Sequence, residues 1–140
     1  MQVVTPKELY RWCSIPHTEL ENHPELRVPL RLVGGSEEMG RLMARELVEL
    51  IQANNQQGRK TRAVIPCGPS CWYAPFAELV NRDGVSLKRF EVFHMDECLD
   101  WQGNLLPAGH PYNFRSEMER VFYGPIDPEL AVPEQNRHWL

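Results

Sequence analysis

Two consecutive carboxylates, Asp96 and Glu97, follow directly on the apolar run Phe90–Met95. A carboxylate where a strand gives way to a loop can remove a proton next to a carbonyl if partial desolvation raises its basicity. Either residue can equally cap a turn. The stretch also allows a metal reading, because His94, Asp96 and Cys98 alternate onto one side of an extended chain. No further ligand follows at a familiar zinc spacing, so the reading carries no metal. A second stretch, Pro66-Cys67-Gly68-Pro69-Ser70-Cys71, links a strand to a helix. Backbone N–H groups at a helix start, with a hydroxyl such as Ser70, make a phosphate cradle. A Gly- and Pro-containing connector is the plain alternative. A thioredoxin-like redox pair is a third reading, but three residues separate Cys67 from Cys71 where that motif has two. Third, His110-Pro111 precedes a helix, and His110 either titrates at a site or fixes the helix entry. Trp72, Tyr73 and Trp101 lie near these loops, to line a pocket or to pack.

The elements that must position these residues are strands alternating with helices. Ala63–Ile65 and Phe90–Met95 are compact apolar strands, and Leu30–Val33 is a short candidate strand before the Gly34-Gly35 turn. Ser36 is expected to cap a helix bearing Met39, Leu42, Met43, Leu47, Leu50 and Ile51 on one face, with Gly58 beyond its end. Further helices are expected from about Tyr73 to Asn81 and from Asn113 to Tyr123, and His138-Trp139-Leu140 begins another strand. The pattern predicts an α/β fold: a Rossmann-like, mostly parallel sheet with helices on both faces and binding groups at the carboxyl ends of strands. Both loops singled out above occupy such ends. Ahead of this domain (30–140), residues 1–29 form a helical lead segment. Thr5-Pro6-Lys7-Glu8 reads as a capping box there, Thr18–Glu21 as a weaker one, and Pro16, Pro24 and Pro29 are breaks. The chain ends on a strand with no helix to cover it, so a truncated domain is expected.

Bulk properties narrow the function. With 42% hydrophobic and 24% charged residues, the 140-residue chain reads as an ordinary globular domain. Its net charge of −4 gives no attraction for nucleic acid or an anionic membrane. A phosphorylated ligand must therefore be held by local donors. No apolar run reaches the roughly 20 residues of a membrane span, and no signal peptide opens the chain. Four irregularly spaced cysteines (Cys13, Cys67, Cys71 and Cys98) fit a reduced, cytoplasmic protein better than a disulfide scaffold.

In this order the pieces resemble the glucosamine-6-phosphate deaminase family. That family's pattern has an opening strand and helix, a Pro-Thr-Gly-Gly-Thr/Ser-Pro phosphate loop, a strand ending in Met-Asp-Glu-Tyr, and a His-Pro loop before an aromatic-rich helix. The counterparts here are Leu30–Ile51, Pro66–Cys71, Phe93–Cys98 and His110–Tyr123. Phe114, Ser116, Met118, Arg120, Phe122 and Asp127 also look familial, as does Pro133-Glu134-Gln135-Asn136. The resemblance implies that Asp96 is the base moving a proton between sugar carbons 1 and 2. It also implies that Cys67, Gly68 and Ser70 face the phosphate, with Glu97 beside the base among the substrate-facing residues. A small-molecule sugar phosphate is the implied partner, without a cofactor, and family members are often homo-oligomers. Three departures stand out. Pro69 removes a loop N–H, Cys98 replaces the tyrosine, and the family's later Asp-Gly-His segment, which carries the ring-opening histidine, is not among these residues. Those departures leave room for a non-catalytic sugar-phosphate sensor. The related 6-phosphogluconolactonases are a further alternative, although their usual Asp-Glu-Arg fits less well than Met95-Asp96-Glu97 with His110-Pro111.

Overall fold

The computed structural model describes residues 4–140, which form two compact units, one ending at Gly34 and the other running Gly35–Leu140. In the first, helix α1 (Pro6–Cys13) starts on the expected capping box. The Thr5 hydroxyl accepts from the Glu8 amide at 3.3 Å, and the Glu8 carboxylate accepts from the Thr5 amide at 2.9 Å. The weaker box at Thr18 does not form. A 3₁₀ turn, His17–Asn22, begins there without a side-chain cap. Nor does Leu30–Val33 become a strand. Its backbone joins no sheet, Leu30 and Leu32 stay exposed, and the Leu32 amide donates to the Glu21 carboxylate. Four apolar-rich residues make a strand only where a ladder partner runs beside them.

In the second unit, α2 (Ser36–Gln56) comes first. Gly35, not Ser36, occupies its N-cap, and no side chain caps it; Glu37 and Glu38 supply negative charge to the first turn. The strand β1 (Thr61–Ile65) follows, then a 3₁₀ turn (Ser70–Trp72) that runs into α3 (Tyr73–Asp83). After it come β2 (Phe90–His94), α4 (Phe114–Met118), a π-helical continuation (Glu119–Tyr123) and β3 (Arg137–His138). The sheet is parallel throughout in the order β1-β2-β3, with Thr61 opposite Phe90 and Ile65 opposite His94. This is the expected α/β, Rossmann-like architecture, although among the described residues the helices of this unit pack on one face of the sheet and not on both.

Alternation along the strands decides where the core lies. Thr61, Ile65, Phe90, Val92 and His94 are buried on one side of the sheet. Phe90 packs on Phe76 of α3, which stacks on Phe122 of the π-helical stretch at 5.5 Å. Ala44, Val48 and Ile51 of α2 complete the same core. On the opposite side Val64 and Phe93 remain exposed, and Glu91 is paired with Arg62 at 2.6 Å and with Lys60.

Candidate active site at the carboxyl ends of β1 and β2

Register alone brings the two chemistry-bearing loops together. Ile65 and His94 are partners at the strand ends, and the Met95 amide donates to the Ile65 carbonyl at 3.1 Å. The chain therefore delivers Cys67 and Asp96 side by side. Oδ1 of Asp96 accepts from the Cys67 amide at 2.8 Å, joining the loop after β1 to the loop after β2. Oδ2 takes part in no hydrogen bond among the described residues. One oxygen of the half-buried Asp96 thus fixes the group while the other stays available.

Glu97 points elsewhere. Its Oε1 accepts from the amides of Cys98 (2.9 Å) and Phe114 (2.8 Å), and its Oε2 from the amide of Arg115 (3.0 Å). Phe114 and Arg115 open α4, whose third amide, Ser116, donates to the N-cap Asn113 at 2.7 Å. Glu97 is therefore a cap from a distance. It satisfies amides that a helix start leaves without partners and sets negative charge at the positive end of the helix dipole. It pins the segment after Asp96 to α4.

The loop after β1 is closed by a residue the sequence placed only as a pocket or packing aromatic. The Tyr73 hydroxyl accepts from the Gly68 amide at 2.8 Å and donates to the Pro66 carbonyl at 3.0 Å. Burial pushes that hydroxyl up to about 12, so it remains protonated as a donor. Gly68 itself sits at φ 132°, a conformation that favours glycine. With Cys67 donating to Asp96, Gly68 to Tyr73, and Pro69 lacking an N–H, the inward loop amides are spent on the loop's own shape. The Ser70 hydroxyl and the amides of Ser70 and Cys71 have no hydrogen-bond partner among the described residues. They are the donors left for an anion. The loop's other wall is α2: a Cβ on Gly40 would lie 2.2 Å from the Cys71 carbonyl oxygen, so only glycine lets helix and loop approach this closely. The sequence signal for Gly40 was a single glycine inside a long helical pattern.

The remaining candidates resolve differently. Burial pushes the Cys67 thiol up, with Asp96, Glu117 and Glu97 adding to the effect, so it is not an activated thiolate. His94 turns into the core, where its Nε2 shares a hydrogen bond with the Tyr123 hydroxyl at 2.9 Å. The Trp139 ring stacks on it at 3.7 Å. It therefore does not converge with Asp96, and among the described residues no group of three or more His, Cys, Asp or Glu is placed to hold a metal. His110 closes its own turn, its Nδ1 accepting from the Tyr112 amide at 3.1 Å. Trp72 and Tyr73 are buried in the core, whereas Trp101 is almost fully exposed. Among the described residues no helix is long and apolar enough to cross a membrane.

No family model matches the chain, and no curated protein matches it by sequence. Among solved structures it is similar to a monomeric glucosamine-6-phosphate deaminase described as a missing link of the NagB superfamily. The TM-score is 0.61 at 16% identity, and the match covers 76% of this chain and 40% of that one. The likeness establishes the fold, a Rossmann-like α/β arrangement. The chain spans less than half the length of the protein it matches.

Proposed function

We propose that this chain carries the base-bearing part of a sugar-phosphate isomerase or deaminase acting on an amino sugar phosphate. Asp96 is the proposed base. Its free Oδ2 takes the proton from carbon 2 of the open-chain sugar and returns it to carbon 1, so that an enol-type intermediate links aldose and ketose forms. The observation that carries the reading is the 2.8 Å hydrogen bond from the Cys67 amide to Oδ1. It holds the carboxylate against the loop assigned to the phosphate and leaves one oxygen unspent, as proton transfer requires. Phosphate contacts are assigned to the Ser70 hydroxyl and the adjoining amides of Ser70 and Cys71, with Cys67 and Gly68 shaping the loop. Glu97 is assigned a positioning role through α4.

Ring opening needs an acid, and among the described residues neither His94 nor His110 is placed to supply it. His94 is buried under Trp139, and His110 is committed to its turn. A sugar-phosphate sensor without turnover is the second reading, favoured by the loss of the Pro69 N–H and by the internal use of the Cys67 and Gly68 amides.

The test is to incubate the protein, in the longest form its gene encodes, with glucosamine 6-phosphate and to measure ammonia and fructose 6-phosphate. Asp96→Asn is the decisive variant, because an amide oxygen still accepts from Cys67 while the base is gone. Turnover by the parent and loss of at least a hundredfold in Asp96→Asn supports the proposal. Binding without product supports the sensor, and undiminished turnover in Asp96→Asn removes Asp96 from the role of base.

A further inference from the structure

The amide that holds Asp96 is one end of the peptide group joining Pro66 to Cys67, and the other end of that group is held as well. The bond is trans, so its carbonyl and its N–H point to opposite sides. The Pro66 carbonyl accepts from the Tyr73 hydroxyl at 3.0 Å, while the Cys67 N–H donates to Oδ1 of Asp96 at 2.8 Å. Tyr73 and Asp96 therefore grip one peptide plane from opposite edges. The series begins one step further back, where the Gly68 amide donates to the Tyr73 oxygen at 2.8 Å. From Gly68 to Tyr73, to the peptide and to Asp96, each group donates to the next.

A peptide held at one end can still turn about its flanking single bonds and carry its N–H off an acceptor. Held at both ends, it cannot. The anchor itself is fixed by packing: Tyr73 is buried, its ring edge-on to Trp72 at 5.0 Å and to Phe122 at 5.5 Å. Linked hydrogen bonds also polarise one another, so a carbonyl that accepts from Tyr73 makes the N–H of the same peptide a stronger donor to the carboxylate. We infer that Tyr73 is a positioning residue for Asp96, acting through the Pro66–Cys67 peptide to hold Oδ1 and present Oδ2. The inference deepens the isomerase or deaminase reading and rests on it for what the presented oxygen does. The coupling of Tyr73 to Asp96 is measured without any substrate.

Tyr73→Phe removes the hydroxyl and keeps the ring, so the packing on Trp72 and Phe122 is retained. Tyr123→Phe is the control, because it takes the hydroxyl from a second buried tyrosine whose partner is His94, at 2.9 Å, and not the loop. The Cys67 amide is followed by NMR in the full chain, for its hydrogen exchange and its resonance position. It should exchange about tenfold faster in Tyr73→Phe and at the parent rate in Tyr123→Phe. Asp96→Asn should shift the Cys67 amide resonance in the parent, and shift it far less when Tyr73→Phe has already released the amide. With glucosamine 6-phosphate, Tyr73→Phe in the longest form its gene encodes should lower kcat by about tenfold or more with KM little changed, the split expected of a misaimed base. Cys67 exchange that is unchanged in Tyr73→Phe, or that rises equally in Tyr123→Phe, overturns the positioning role. A parent without turnover overturns the isomerase reading alone, and the exchange and resonance data then decide the positioning role by themselves.

Discussion

Replacing Gly40 with alanine sets two physical effects against each other, and the structure decides the sign. In an exposed helix interior, alanine is favoured over glycine by about 1 kcal/mol, so α2 taken alone should gain stability. The structure predicts the reverse. The new Cβ would stand 2.2 Å from the Cys71 carbonyl oxygen, 2.6 Å from its carbon and 3.1 Å from the Trp72 amide nitrogen. These are all backbone atoms, which cannot rotate away as a side-chain tip does. Either α2 or the Ser70–Trp72 turn must retreat by roughly 1 Å, and overpacking of this kind costs about 1–3 kcal/mol or more. Because the clash is with backbone at 2.2 Å, the upper part of that range applies, and the net expectation after the helix gain is subtracted is a destabilisation of about 1–2 kcal/mol. Thermal unfolding should show a fall in Tm of roughly 4–8 °C. The same displacement moves the Ser70 and Cys71 amides, so inorganic phosphate should bind more weakly. A variant that melts at a higher temperature than the parent would refute the close approach and, with it, the role of α2 as the wall of the loop.

Two further expectations concern the groups flanking Asp96. Glu97→Ala removes the acceptor for three amides, two of them at the start of α4, and should lower stability in urea unfolding by about 1–2 kcal/mol. Glu97→Gln keeps one acceptor oxygen and should fall between, and a change in Glu97→Ala within about 0.5 kcal/mol would deny the capping role. His94 gives the pH dependence. Burial holds its ring down to about 4, opposed by Asp96 and Glu97, against about 6.5 in an unfolded chain. Below about pH 6.5 the unfolded chain binds a proton that the folded one does not, so stability falls as pH drops toward 4, by about 3 kcal/mol in all. His94→Gln should flatten that part of the stability profile relative to the parent, and an unchanged slope would assign the acid sensitivity to other groups.

The parts of the fold legible in the sequence were those fixed by local pattern. β1 and β2 announce themselves as apolar runs of strand length, α2 by its helical spacing, and the Thr5 cap by a side chain and an amide three residues apart. What failed locally failed because the deciding partner is distant. Leu30–Val33 has the composition of a strand and no ladder, and Asn113–Tyr123 reads as one helix but widens to π geometry after Met118. The candidate site divides the same way. Asp96 was visible as a carboxylate at a strand end, but its bond to the Cys67 amide, and the Tyr73 clasp on Gly68, exist only through β1–β2 pairing and the start of α3. Glu97, placed beside the base by the resemblance, shows that neighbours in sequence need not share a site. Adjacent residues after a strand project to opposite sides, so Asp96 faces the loop after β1 while Glu97 faces α4. Two carboxylates adjacent in sequence are therefore one available group and one helix cap.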